Sequence, residues 1–218
     1  MALDVKICGL STPASVRAAV TAGATHTGYI FFEKSPRHIE PEAAAPLAAL
    51  STSLGALPVA VTVNASDEQL DEIVSVMNPA ILQLHGGETP ERVAAVKARY
   101  NLPVMKALAI SVQEDLAKLD AYRGIADRFL LDAKPPKGSD LPGGNAVRFD
   151  WSILTHLPSD TDYLLAGGID AGNVAEALAI HPPGLDISSG VEVAPGIKDE
   201  RLIAAFFGAI NATTAKNT

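Results

Sequence analysis

Short apolar runs alternate with amphipathic stretches along almost the whole of this chain. Residues 4–8, 27–32, 57–63, 80–84, 103–110, 128–131, 163–166 and 185–187 have the length and the branched or aromatic content of strands. The stretches 14–22, 41–50, 66–77, 90–99, 114–122, 173–180 and 199–210, with another opening at Phe149-Asp150-Trp151, read as helices. Their ends carry local signals. Ser11-Thr12-Pro13 offers a capping hydroxyl and then proline at the first helical position, Gly23 stops the first helix, and Ser66 to Gln69 has capping-box spacing. Eight such alternations, over a length near the ~250 residues of the closed parallel barrel, predict an α/β fold. The expectation is a single-domain (β/α)8 TIM barrel over 1–218, with a frayed tail at about 211–218. A doubly wound sheet also alternates, but no Gly-x-Gly-x-x-Gly follows an early strand.

Strands of a parallel sheet are normally apolar on both faces, yet Cys8, Asn64, His85, Asp132 and Ser188 stand where these strands end. In a barrel those ends share one mouth. The period of two puts Lys6 and Cys8 on one face of the first strand. Cys8 reads either as a small buried hydrophobe or as a catalytic base, and Lys6 either as a paired core lysine or as a cation favouring the thiolate. Asp132, directly after Phe129-Leu130-Leu131, reads as a loop carboxylate or as an acid whose apolar neighbours keep it protonated. His85 shares a face with Gln83 and reads as a structural hydrogen-bond partner or a proton carrier.

Three loops add to this picture. Glu33-Lys34-Ser35-Pro36-Arg37-His38 is a basic loop whose Arg37 offers a planar fork for a carboxylate, unless the loop is merely solvated. The stretch 133–145, rich in proline and glycine, follows Asp132 and is long enough to fold over it as a lid. The last two loops carry Gly167, Gly168, Ser188, Ser189 and Gly190, at the corner where barrels commonly hold phosphate through backbone N–H groups. A phosphorylated substrate is expected there, although isolated glycines also make plain tight turns.

Composition narrows the classes. A chain with 48% hydrophobic residues buries a full core, and 17 basic against 25 acidic residues, net charge -8, oppose general attraction to nucleic acid or an anionic membrane. A single cysteine closes no internal disulfide, and Met1-Ala2-Leu3 leads into the first strand without a targeting segment, so a reducing cytoplasm is expected. The five histidines show no zinc-ligand spacing, and no metal is expected.

The motifs Val5-Lys6-Ile7-Cys8-Gly9-Leu10, Lys34-Ser35-Pro36-Arg37, Gln83-Leu84-His85-Gly86, Leu131-Asp132-Ala133, Ala166-Gly167-Gly168 with Asn173-Val174, and Asp186 to Glu192 with Pro195-Gly196-Ile197-Lys198-Asp199 occur in this order. In them the chain resembles the phosphoribosylanthranilate isomerases of tryptophan biosynthesis along nearly its whole length. The resemblance implies an Amadori rearrangement without a cofactor, on a small phosphosugar, by a monomer or homodimer. It makes Cys8 the general base, Asp132 the general acid, Arg37 the partner of the anthranilate carboxylate, and the last two glycine loops the phosphate site. His85 and Asp186 join Arg37 as expected substrate-binding residues. Two positions depart from the family pattern: Ala146, where glycine is usual, and Thr62, where phenylalanine is common. The rival readings are the histidine-pathway isomerase, which is expected to use aspartate at the position of Cys8, and a silent phosphosugar-binding barrel.

Overall fold

The computed structural model describes residues 3–135, 138, 143 and 148–216. Eight parallel strands close into a barrel: β1 (Asp4–Cys8), β2 (His26–Phe31), β3 (Leu57–Thr62), β4 (Ile81–Leu84), β5 (Val104–Ile110), β6 (Arg128–Ala133), β7 (Tyr163–Leu165) and β8 (Gly184–Ile187). Each bonds to the next, and β8 returns to β1. Around them lie α1 (Pro13–Ala22), α2 (Pro41–Ser53), α3 (Asp67–Met77), α4 (Pro90–Tyr100), α5 (Val174–Ala179) and α6 (Glu200–Lys216). The caps sit where the local signals place them: Thr12 accepts from the Ser15 N–H, and Ser66 and Gln69 form a reciprocal capping box. Among the described residues no helix is long and apolar enough to cross a membrane.

Alternation divides the apolar residues into two cores. Ile7, Tyr29, Leu82, Phe129, Leu131, Leu165, Leu185 and Ile187 face outward onto the helices, in one large cluster with Val16, Leu47, Leu70 and Phe206. Inside the barrel, Val59 and Val61 pack beside Cys8, and Met105, Ala107, Leu130, Leu164 and Ala166 fill the opposite wall. Each fully buried valine, leucine, isoleucine, phenylalanine or methionine contributes roughly 1.5–3 kcal/mol against its exposed state.

Four expectations change. The segment between β5 and β6 is a 3₁₀ helix, Gln113–Tyr122, rather than an α-helix. Its apolar residues Leu116, Leu119 and Tyr122 recur every three positions, which stacks them on one face at three residues per turn. The segment after Phe149 is a single short 3₁₀ stretch, Trp151–His156, because Pro158 follows closely. The tail expected to fray from about 211 continues α6 through Lys216, with Thr213 Oγ1 donating to the Ala209 carbonyl at 2.8 Å. A small antiparallel hairpin, β9 (Glu192–Ala194) and β10 (Ile197–Lys198), follows β8 where no element was expected. The dipeptide Pro195-Gly196, a strong turn signal between two short runs, marks it in the sequence.

Candidate active site

Cys8 is the last residue of β1, with its side chain inside the barrel beside Val59 and Val61. Its ladder partner on β2 is Gly28, and the glycine is required by space. A Cβ at Gly28 would lie 2.9 Å from Cys8 Sγ and 3.0 Å from Lys6 Cε. The thiol and the lysine stem therefore meet over the same glycine. Lys6 is paired across the β1–β8 ladder with Asp186, and its Nζ donates to Asp186 Oδ1 at 2.8 Å with the lysine wholly buried. Lys6 is thus a paired core lysine and a neighbour of the thiol at once. Asp186, expected to bind substrate, gives its Oδ1 to Lys6.

The charges set the state of the thiol. Burial pushes the Cys8 thiol up, the Lys6 ammonium pulls it down, Asp186 raises it again, and the net displacement is upward. Burial outweighs the cation, so the thiolate is less favoured in the free protein than the sequence anticipates. Burial likewise works against the Lys6 ammonium, but Asp186 and Cys8 together hold its pKa above the ordinary value.

Asp132 lies within β6, not after it as the sequence suggested, and its ladder partner is Ala109. Phe129 and Leu131 point to the helices, so the apolar neighbour that shares the inner face of β6 with the carboxyl is Leu130, and polar groups meet it as well. Its Oδ1 accepts from the Ala133 N–H at 2.8 Å, and its Oδ2 is 3.4 Å from His85 Nε2. Gln83 Nε2 stands 2.9 Å from His85 Nδ1, so Gln83, His85 and Asp132 form a line across β4 to β6. His85 therefore meets the acid. Gly143 lies against both: a Cβ there would be 2.5 Å from Asp132 Oδ2 and 2.8 Å from His85 Nε2. Of the expected lid, residues 136, 137, 139–142, 144 and 145 lie outside the described residues, as does Ala146.

Asn64 accepts from the Gly87 N–H at 2.8 Å. Thr62 is buried, with an Oγ1 that has no partner among the described residues. At the last two loops, Gly167 and Gly168 hold φ of +94° and +65°, which favour glycine, and Asn173 Nδ2 donates to the Gly168 carbonyl at 2.8 Å. Gly190 packs on the Ile169 carbonyl with no space for a side chain, so the two loops that carry Gly167, Gly168, Ser189 and Gly190 touch. The Ser188 Oγ donates to the Cys8 carbonyl at 3.1 Å.

Arg37 is buried rather than solvated, and its fork is taken. Nε and Nη2 donate to Glu192 Oε1 and Oε2 at 2.8 and 2.7 Å. Glu192 also accepts from Lys198 Nζ at 2.6 Å. Glu192 and Lys198 had no role assigned from sequence; their signal was their place in the last motif, without a partner to reveal it.

A closed parallel barrel with a thiol on β1 and a carboxyl on β6, both inside its C-terminal mouth, has the architecture of a barrel enzyme. Residues 5–209 match the family described as N-(5'phosphoribosyl)anthranilate (PRA) isomerase. An N-(5'-phosphoribosyl)anthranilate isomerase of Brucella canis is 64% identical over 211 residues, covering 96% of this chain and 95% of the relative. The crystal structure of phosphoribosyl anthranilate isomerase from Thermotoga maritima aligns with a TM-score of 0.86 at 31% identity, over 97% of this chain and all of that one (100%). Another, in complex with reduced 1-(o-carboxyphenylamino)-1-deoxyribulose 5-phosphate, aligns at 0.83 and 30% identity, over 97% and 100% of the two chains. The chain belongs to the phosphoribosylanthranilate isomerase family, and it is an isomerase of tryptophan biosynthesis.

Proposed function

We propose that Cys8 and Asp132 are the base and the acid of this isomerase, which converts N-(5-phosphoribosyl)anthranilate to 1-(2-carboxyphenylamino)-1-deoxyribulose 5-phosphate. Asp132 gives a proton to the ribose ring oxygen, the ring C–O bond breaks, and the nitrogen lone pair forms the Schiff base. Cys8, as thiolate, takes the proton from the neighbouring carbon, and the resulting enolamine tautomerises to the ketone. The observation that carries this reading is the position of the two side chains inside one mouth, from strands on separate walls. A silent phosphosugar-binding barrel needs neither, and a histidine-pathway isomerase is expected to carry aspartate in place of Cys8.

His85 serves the acid in this scheme. Gln83 can turn either amide atom toward His85 Nδ1, and Gln83 Oε1 has no partner among the described residues. With the oxygen turned inward, His85 keeps its proton on Nδ1 and accepts at Nε2 from a protonated Asp132. With the nitrogen inward, the Nε2–H faces a carboxylate. The pair can thus hold the carboxyl before and after its proton leaves.

Arg37 meets the anthranilate carboxylate, with His85 and Asp186 also on the substrate, and Gly167, Gly168, Ser188, Ser189 and Gly190 cradle the phosphate. The contact between the two glycine loops and the left-handed turn at Gly167-Gly168 support that corner. The closing of all eight strands in one sheet supports treating 1–218 as one domain, working on a small molecule as a monomer or homodimer without nucleic acid or membrane. The test is an assay in which N-(5-phosphoribosyl)anthranilate is generated in place and its fluorescence followed. Rapid loss with the protein, absent in Cys8→Ala, is the expected result; no loss with the native chain rejects the reading.

A further inference from the structure

The β9–β10 hairpin is built against the Arg37 loop at two points. Gly196, at φ +84° in its turn, lies so close to Pro36 that a Cβ would stand 2.5 Å from the Pro36 carbonyl oxygen. Glu192, the first residue of β9, takes the Arg37 fork in two-point contact, with both side chains nearly buried at 5% and 3% exposure. The arginine stem crosses Gly9, where a Cβ would lie 2.7 Å from Arg37 Cδ. This delivers the guanidinium to the end of the strand that carries Cys8.

The charge count here is uneven. One carboxylate, Glu192, faces two buried cations, Arg37 and Lys198. Burial would raise the Glu192 carboxyl, but Arg37 and Lys198 together hold it below its ordinary value, so it is ionised. One positive charge is left over in a site nearly closed to water, which is costly unless an anion completes it. The three donors of Lys198 are met: Nζ reaches the Ser188 carbonyl at 2.9 Å, Ser188 Oγ at 3.3 Å and Glu192 Oε1 at 2.6 Å. Arg37 Nη1 makes no hydrogen bond among the described residues, so the surplus charge is offered along the Nη1–Nη2 edge.

We infer that Glu192 is a positioning residue: it grips one edge of the Arg37 guanidinium so that the opposite edge is aimed at the substrate carboxylate. The inference rests on the reading that Arg37 meets that carboxylate. Glutamine at position 192 would still accept from one N–H of the fork, but its own NH2 would face the other, and the guanidinium would rotate away.

The experiment compares two substrates, one formed from ribose 5-phosphate and anthranilate, the other from ribose 5-phosphate and aniline, which lacks the carboxylate. Arg37→Ala, Glu192→Gln and the charge-keeping Glu192→Asp are each assayed on both. For Glu192→Gln the expected result is a rise in KM of about tenfold on the anthranilate substrate, with kcat within about threefold and little change on the aniline substrate. Glu192→Asp shows the same selectivity with a smaller rise. Turnover of the aniline substrate reports that each variant is folded, and if Glu192→Gln fails to fold, Glu192→Asp carries the test. Equal losses on both substrates in the Glu192 variants, or no change on either, overturn the positioning role while a selective Arg37→Ala leaves the Arg37 reading standing. Equal losses in Arg37→Ala reject the Arg37 reading itself and the inference with it.

Discussion

Lys6 Nζ donates to Asp186 Oδ1 at 2.8 Å, across the ladder that closes the barrel, one side-chain layer below the thiol of Cys8. An ammonium so placed has two consequences. It compensates a carboxylate that water barely reaches, and it opposes the burial that pushes the thiol up. Lys6→Met removes both. The remaining Asp186 charge costs about 3–5 kcal/mol, read as a lower urea midpoint. The chain has one cysteine, so a Cβ-labelled sample gives a single NMR signal whose titration reports the thiol directly. The native thiol should ionise above the ordinary ~8.5 of a free cysteine, and Lys6→Met should move it further alkaline. A midpoint that does not move removes Lys6 from the electrostatics of the base.

Cys8→Ala and Asp132→Asn should each lower kcat roughly a hundredfold or more. Far-ultraviolet circular dichroism should be unchanged, since neither side chain bridges elements of the outer core. Near-normal turnover in either variant excludes the role given to that residue.

Gly28→Ala tests the space shared by thiol and lysine. Its backbone is not in the left-handed region, so the added methyl acts by collision alone, with Cys8 Sγ at 2.9 Å and Lys6 Cε at 3.0 Å. Displacing them should cost about 1–3 kcal/mol of stability and lower kcat roughly tenfold by misplacing the base. Full activity in the alanine variant means that the thiol moves without consequence.

Another buried ion pair lies outside the barrel wall, Lys106 Nζ with Glu88 Oε2 at 2.8 Å. Burial would raise the Glu88 carboxyl, but Lys106 and the backbone N–H groups together hold it below its ordinary value. Its folded pKa is therefore below its unfolded one. The stability it contributes is complete above the unfolded carboxylate range and is lost as pH falls through the folded value. Glu88→Gln should cost about 3 kcal/mol at neutral pH, with kcat within about threefold, and the gap to the native chain should shrink on acidification. A gap that persists in acid would show that the lost hydrogen-bond geometry, not the charge, sets the cost.

Much of this molecule is legible without coordinates. The bounds of β1 are read directly, because alternation, the caps at Thr12 and Pro13, and the stop at Gly9 are all local. The same holds for the eightfold alternation and for Cys8 at a strand end. Asp132 is legible too, but its place relative to the end of its strand is not. Its strand runs on through Ala133, and the pleat sends Phe129 and Leu131 to the other face.

What the chain alone determines is therefore the set of elements, their order, and which residues stand at the mouth, since these depend on neighbours a few positions away. Tertiary structure decides what those residues are bound to. Lys6 and Asp186 are 180 positions apart, and Arg37 and Glu192 are 155 apart. Such pairs come together only when β8 returns to β1 and the register of that last ladder is set. The physical reason is that an ion pair is recognised by distance in space, and no local pattern in the sequence carries that distance.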